Sequence, residues 1–139
     1  MSSSDRKQVT LRWKGEGLLF EGGPDGVPSV TIDGDSHLGP SPMDTLLLAL
    51  AGCMAADVRV ILEKGRVPLA GLAVRVSGAR AASPPRRYTS IRLVFEVDGP
   101  APEHASKVER ALALSRETYC SVLHTLDPDL EVAIELAGA

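Results

Sequence analysis

A chain of 139 residues, 44% hydrophobic and 24% charged, has room for one domain with its own core and the composition of a globular protein rather than a disordered or fibrous one. Fifteen Lys and Arg against eighteen Asp and Glu leave a net charge of −3, and aromatic residues make up 4% of the chain. Both features weigh against a nucleic-acid partner, which calls for a basic stripe and stacking side chains. Met1 to Gln8 are polar with no apolar run behind them, so no secretory signal is expected and the expected location is cytoplasmic. The longest uncharged run in the first two thirds, Thr45 to Ala56, has twelve residues against the ~20 of a membrane span, so no membrane segment is expected.

The elements are expected within a single domain, 1–139. Short β-like runs, Val9 to Trp13, Leu18 to Glu21 and Val30 to Asp33, are broken by glycines and predict an antiparallel meander. After a loop, Ser41-Pro42-Met43-Asp44 has a capping serine, a proline suited to the first helical position, and an acid three after the serine. The helix so begun can run to Lys64, about 35 Å, with Gly65 as a left-handed C-cap and Pro68 preventing continuation. From Leu46 to Ala56 it is apolar or small on every face, a pattern of complete burial that predicts a second copy of the chain covering part of it. Two alternating strands around Val74 to Gly78 and Ile91 to Val97 predict a hairpin whose tip carries Pro84-Pro85-Arg86-Arg87. A second helix is expected after Pro102, with a stripe of Ala105, Val108, Leu112, Ser115, Tyr119, Val122 and Leu126, and a final strand at Leu130 to Leu136.

Two cysteines carry most of the chemical information. Cys53 lies mid-way along the apolar helix and Cys120 beside the stripe of the second, and each also reads as a small core hydrophobe. Cys120 and His124, four apart on an expected helix, would share a face, so Cys53, Cys120 and His124 form one conceivable metal set. No close cysteine pair supports structural zinc, and neither a metal nor a cofactor is expected. His37 and His104 read as surface or loop residues, and nucleotide-binding, serine-hydrolase and zinc-protease motifs are absent from the sequence.

Taken in order, Gly39-Pro40-Ser41-Pro42-Met43-Asp44, then Leu50-Ala51-Gly52-Cys53, then Leu62-Glu63-Lys64-Gly65-Arg66, a hairpin, and Tyr119-Cys120-Ser121-Val122 resemble the OsmC/Ohr family of osmotically inducible and organic hydroperoxide resistance proteins, in its OsmC-like branch. The resemblance implies an α+β fold, an intertwined homodimer, and a thiol peroxidase acting on organic hydroperoxides. It assigns the attacking role to Cys53 and the resolving role to Cys120, with a dithiol reductant, such as a lipoyl-type group, restoring the thiols. The family's glutamate ten residues before the attacking cysteine is here Met43, with Asp44 one later, and its N-terminal arginine has no clear counterpart. Asp44 and the tip residues Arg86 and Arg87 are therefore the candidate thiolate-activating groups, and Leu46, Leu47, Leu50 and Met54 the candidate substrate wall. The alternative is a redox-sensing or lipophilic-ligand-binding module without turnover.

Overall fold

The computed structural model describes residues 5–138, so the first four residues of the polar N-terminal stretch lie outside it. The sequence reads as one domain; the contacts group into two compact units, residues 1–46 and 47–139.

In the first unit, β1 (Thr10–Trp13), β2 (Leu19–Gly23) and β3 (Val30–Asp33) form the expected antiparallel meander in the order β1-β2-β3. The loop after β3 is organised by Asp33, a buried carboxylate that accepts backbone N–H bonds from Asp35 at 2.8 Å, Leu38 at 3.0 Å and His37 at 3.3 Å. Those donors, Leu38 foremost, favour the charged form and hold the Asp33 carboxyl below its ordinary range. Next comes α1 (Pro42–Lys64). Its capping box forms as the sequence predicts: Ser41 Oγ accepts from the Asp44 N–H, and the Asp44 carboxylate accepts from the Ser41 N–H, both at 3.0 Å.

The other end of α1 departs from expectation. Val67 N–H donates to Leu62 O at 2.9 Å and Arg66 N–H to Glu63 O at 3.0 Å, a Schellman closure in which Arg66, with φ 57°, takes the left-handed position expected for Gly65. The helix still ends at Lys64, as expected, and Val67, just past the left-handed residue, is buried.

In the second unit, β4 (Gly71–Arg80) and β5 (Tyr88–Asp98) form the expected hairpin, and β6 (Glu131–Leu136) pairs with β5 in parallel. A parallel neighbour needs a crossover, supplied here by α2 (Ala105–Leu114) and α3 (Ser121–Thr125). The alternation read from β5 is real: Ile91, Leu93 and Phe95 are buried while Arg92 and Glu96 are exposed. They join Leu50, Met54, Val58 and Leu62 of α1 and Val108, Ala111 and Leu112 of α2 in the buried set.

Complete burial of α1 is not what a single chain achieves. Leu50, Met54, Val58 and Leu62 make one buried stripe at fourfold spacing, whereas Leu48 and Val60 are 60% and 47% exposed, and Ala49, Gly52 and Ala56 are exposed with them. Nor does the short uncharged run dispose of a membrane span. The helix as formed has 23 residues and a mean hydropathy of 1.9 over an 18-residue window, enough by length and composition to cross a bilayer. Core helices of soluble proteins, when mostly buried, meet the same measure; here 22% of that window is buried within the chain.

The second helix is also not continuous. Between α2 and α3 the chain makes one π-helical turn, Ser115–Tyr119, closed by the Cys120 N–H to Ser115 O at 2.9 Å, and Cys120 itself is extended, with φ −72° and ψ 98°. An i→i+5 turn takes up more residues than an α-turn and shifts the phase of everything after it. Tyr119, assigned to the apolar stripe by periodicity, is consequently 55% exposed, and Cys120 is fully buried.

Candidate active site

Cys53 and Asp57 are one turn apart on α1 and so share a face, the cysteine half-buried. Cys120 is carried to them by the π-turn. The two sulfurs and a carboxylate oxygen of Asp57 all lie within 4.8 Å of one another. Ser115, fully buried in the same π-turn, donates its hydroxyl to Asp57 Oδ2 at 2.9 Å and fixes the carboxylate. Cys120 caps α3, its sulfur accepting the Leu123 N–H at 3.4 Å.

Both cysteines are free thiols. A disulfide requires a sulfur separation of ~2.05 Å, so bridging them needs a closure of under about 3 Å, which the non-helical residue Cys120 is placed to make. Burial pushes the Cys120 thiol up to about 11; the Leu123 N–H opposes this, and the neighbouring Cys53 and Asp57 add to it. At neutral pH Cys120 is therefore a protonated thiol shielded from solvent, while Cys53 has the more accessible sulfur.

The raised Cys120 value has a consequence for stability. A thiol that ionises at about 11 when folded and near 9.0 when unfolded stabilises the fold in full below pH 9, and that contribution fades as pH rises from 9 to 11. Denaturant midpoints of reduced protein should fall across this window and fall less in Cys120→Ala; equal slopes in the two proteins would remove Cys120 as the cause.

The other candidates are placed differently. Leu46 and Leu47 are half-buried, but Leu50 and Met54 are fully buried in the core and present no surface to a substrate, because they lie on the inward stripe of α1. An apolar cleft of about 380 Å³, lined by Ala56, Asp57, Val60, Ile61, Lys64, Leu114 and Tyr119, adjoins the cluster through Asp57. Asp44 is engaged in the capping box, whose hydrogen bonds from Ser41 hold its carboxyl below the ordinary range. At the hairpin tip the Arg86 carbonyl accepts from Arg80 Nε at 2.8 Å, and Arg87 sits 3.9 Å from the Asp127 carboxylate, both residues exposed. Among the described residues neither arginine makes a hydrogen bond or ion pair with a cysteine.

His124 does not join the cysteines. The break at Cys120 removes the shared helical face, and His124 Nε2 lies 3.0 Å from Arg116 O instead. The third group in the cluster is Asp57, which is not among the residues expected from the sequence. Its signal was present: an acid four residues after Cys53 on a helix otherwise apolar from Leu46 to Ala56.

These observations define an α+β protein with two free thiols drawn together beside a helix-borne carboxylate. The model of the OsmC-like protein family matches residues 33–135. Protein YhfA of Escherichia coli strain K12 is 38% identical over 126 residues, covering 90% of this chain and 92% of that one. On these grounds the chain belongs to the OsmC-like family. Its fold matches that of an OsmC-like protein from Mycoplasma pneumoniae, with a TM-score of 0.78 at 20% identity over 95% of this chain and 96% of that one. It also matches the organic hydroperoxide resistance protein OhrB of Bacillus subtilis, with a TM-score of 0.60 at 18% identity over 93% and 96%.

Proposed function

We propose that the protein is a thiol peroxidase that reduces organic hydroperoxides to alcohols. The observation that carries this reading is the pairing of an accessible Cys53 with a buried, protonated Cys120 within 4.8 Å. Membership of a family with an organic hydroperoxide resistance protein among its structural relatives supports it. The Cys53 thiolate attacks the distal peroxide oxygen; the O–O bond breaks, an S–O bond forms, and the alkoxide leaves with a proton as alcohol. Cys120 sulfur then attacks the Cys53 sulfenic acid, forming the disulfide and releasing water, and a dithiol of the lipoyl type restores both thiols by exchange. The apolar cleft favours organic over hydrogen peroxide, since each Å² of buried tail contributes about 25 cal/mol. The test is consumption of an organic hydroperoxide with excess dithiol: loss of many equivalents per chain supports the enzyme, and loss of one equivalent or none favours a sensing or binding module.

A homodimer in the cytoplasm is part of the same proposal. The exposed stripe of Leu48, Ala49, Gly52, Ala56 and Val60 combines apolar edges with small residues that permit close approach of another surface. The protein should sediment as a dimer at low micromolar concentration, and Leu48→Glu should give a folded monomer. A wild-type monomer would overturn the dimer.

Activation of Cys53 is assigned to the hairpin-tip arginines, on a loop whose flanking strands hold it in place. The Arg87 to Asp127 pair is long and exposed, and such pairs contribute only ~0–1 kcal/mol, so the guanidinium is free to be recruited. At least one of Arg86→Ala and Arg87→Ala should slow Cys53 alkylation at pH 7 without changing the melting temperature. Wild-type rates in both would leave the tip a solvated loop.

A further inference from the structure

The Cys53, Asp57 and Cys120 cluster gathers groups that carry up to three negative charges, and among the described residues no Lys, Arg or His side chain makes a hydrogen bond or ion pair with any of them. A bound cation would neutralise the group. The donor set is two sulfurs and one carboxylate oxygen, which suits a thiophilic, tetrahedral ion. With metal–sulfur bonds near 2.3 Å and metal–oxygen near 2.0 Å, tetrahedral coordination places sulfurs about 3.8 Å apart and sulfur and oxygen about 3.5 Å apart. The three donor atoms, all within 4.8 Å of one another, need only small rotations to reach these separations.

We propose that, with both thiols reduced, Cys53, Asp57 and Cys120 bind one divalent cation of the zinc class through two thiolates and a carboxylate oxygen, leaving the fourth position to solvent, and that this occupancy excludes the Cys53–Cys120 disulfide. The surroundings have the parts such a site uses. Ser115, fully buried, orients the Asp57 carboxylate through Oδ2, as outer hydrogen bonds orient ligating groups in metal sites. The Leu123 N–H points at the Cys120 sulfur and stabilises charge there. The 380 Å³ cleft that Asp57 lines is the entry path.

Binding converts two thiols to metal thiolates and releases two protons. An organic hydroperoxide would then take two electrons from the paired thiolates: the S–S bond forms, the O–O bond breaks, two protons complete the alcohol and water, and the cation is freed. Metal occupancy and disulfide are thus alternative states of one site, and the binding step itself does not rest on the peroxidase reading.

The experiment is an anaerobic titration of reduced, chelator-treated full-length protein with Co²⁺ as a spectroscopic probe, followed by Zn²⁺. The expected result is one equivalent bound, with tetrahedral d–d absorption and thiolate-to-cobalt charge transfer, both removed by Zn²⁺. Cys53→Ser and Cys120→Ser should each lower affinity by at least about 100-fold, and Asp57→Asn by about 10- to 100-fold. His124→Ala should bind as wild type. Asp57→Asn keeps an acceptor for Ser115 and the same volume, so it preserves the test if a cysteine variant fails to fold. Absence of uptake, an octahedral spectrum, or wild-type affinity in Asp57→Asn would overturn the site. Because no peroxide enters the titration, a protein that binds cobalt without consuming peroxide loses only the peroxidase reading.

Discussion

Cys53→Ser is expected to abolish peroxide turnover, whereas Cys120→Ser should consume about one equivalent and then stall or over-oxidise. The asymmetry follows from where the sulfurs sit. Cys53 is half-buried on a helix face and can be reached; Cys120 is fully buried, with a thiol that ionises only near 11, so it cannot act first at neutral pH. An intact Cys53 still forms a sulfenic acid when Cys120 is serine, but without a second thiol that acid waits for external reductant or for more peroxide. Rapid mixing with limiting hydroperoxide, followed by mass measurement of the intact chain, distinguishes the cases. One oxygen added to Cys120→Ser and none to Cys53→Ser is the expected pair. Equal loss of the first turnover in both variants would overturn the division of roles.

The largest structural effect should come from Leu50→Asp, which is expected to remove the cooperative thermal transition altogether. Leu50 is 0% exposed within its own chain, in line with Met54, Val58 and Leu62 on the inward stripe of α1. An unpaired carboxylate there costs several kcal/mol even after it protonates, against a whole-domain stability of about 5–15 kcal/mol. The side chain is covered by its own chain rather than by a partner, so this variant probes the core and leaves the dimer to Leu48→Glu. Circular dichroism melts decide it: a Leu50→Asp protein melting near the wild-type temperature would mean that α1 is packed differently.

Much of this was legible in the residues, where the governing interactions are local. The capping box at Ser41 and Asp44 involves groups three residues apart, and α1 starts at Pro42 as that pattern demands. The alternation of Ile91, Leu93 and Phe95 marks a buried sheet face because successive strand side chains point to opposite sides. The two cysteines and the order of motifs around them pointed to the family that the comparisons establish.

What the residues could not state depended on phase and on distant neighbours. A helical stripe from Ala105 to Leu126 assumes one period throughout, and the single π-turn at Ser115–Tyr119 breaks it, exposing Tyr119 and burying Cys120. The same break turned His124 away and left Asp57 as the third member of the cluster, a pairing across 58 residues from Ser115 that only packing could bring about. The parallel placement of β6 and the left-handed turn at Arg66 are likewise features that no local period states. Local patterning determined the elements, and the order of motifs singled out the two thiols; tertiary packing determined which thiol is shielded and what stands beside both.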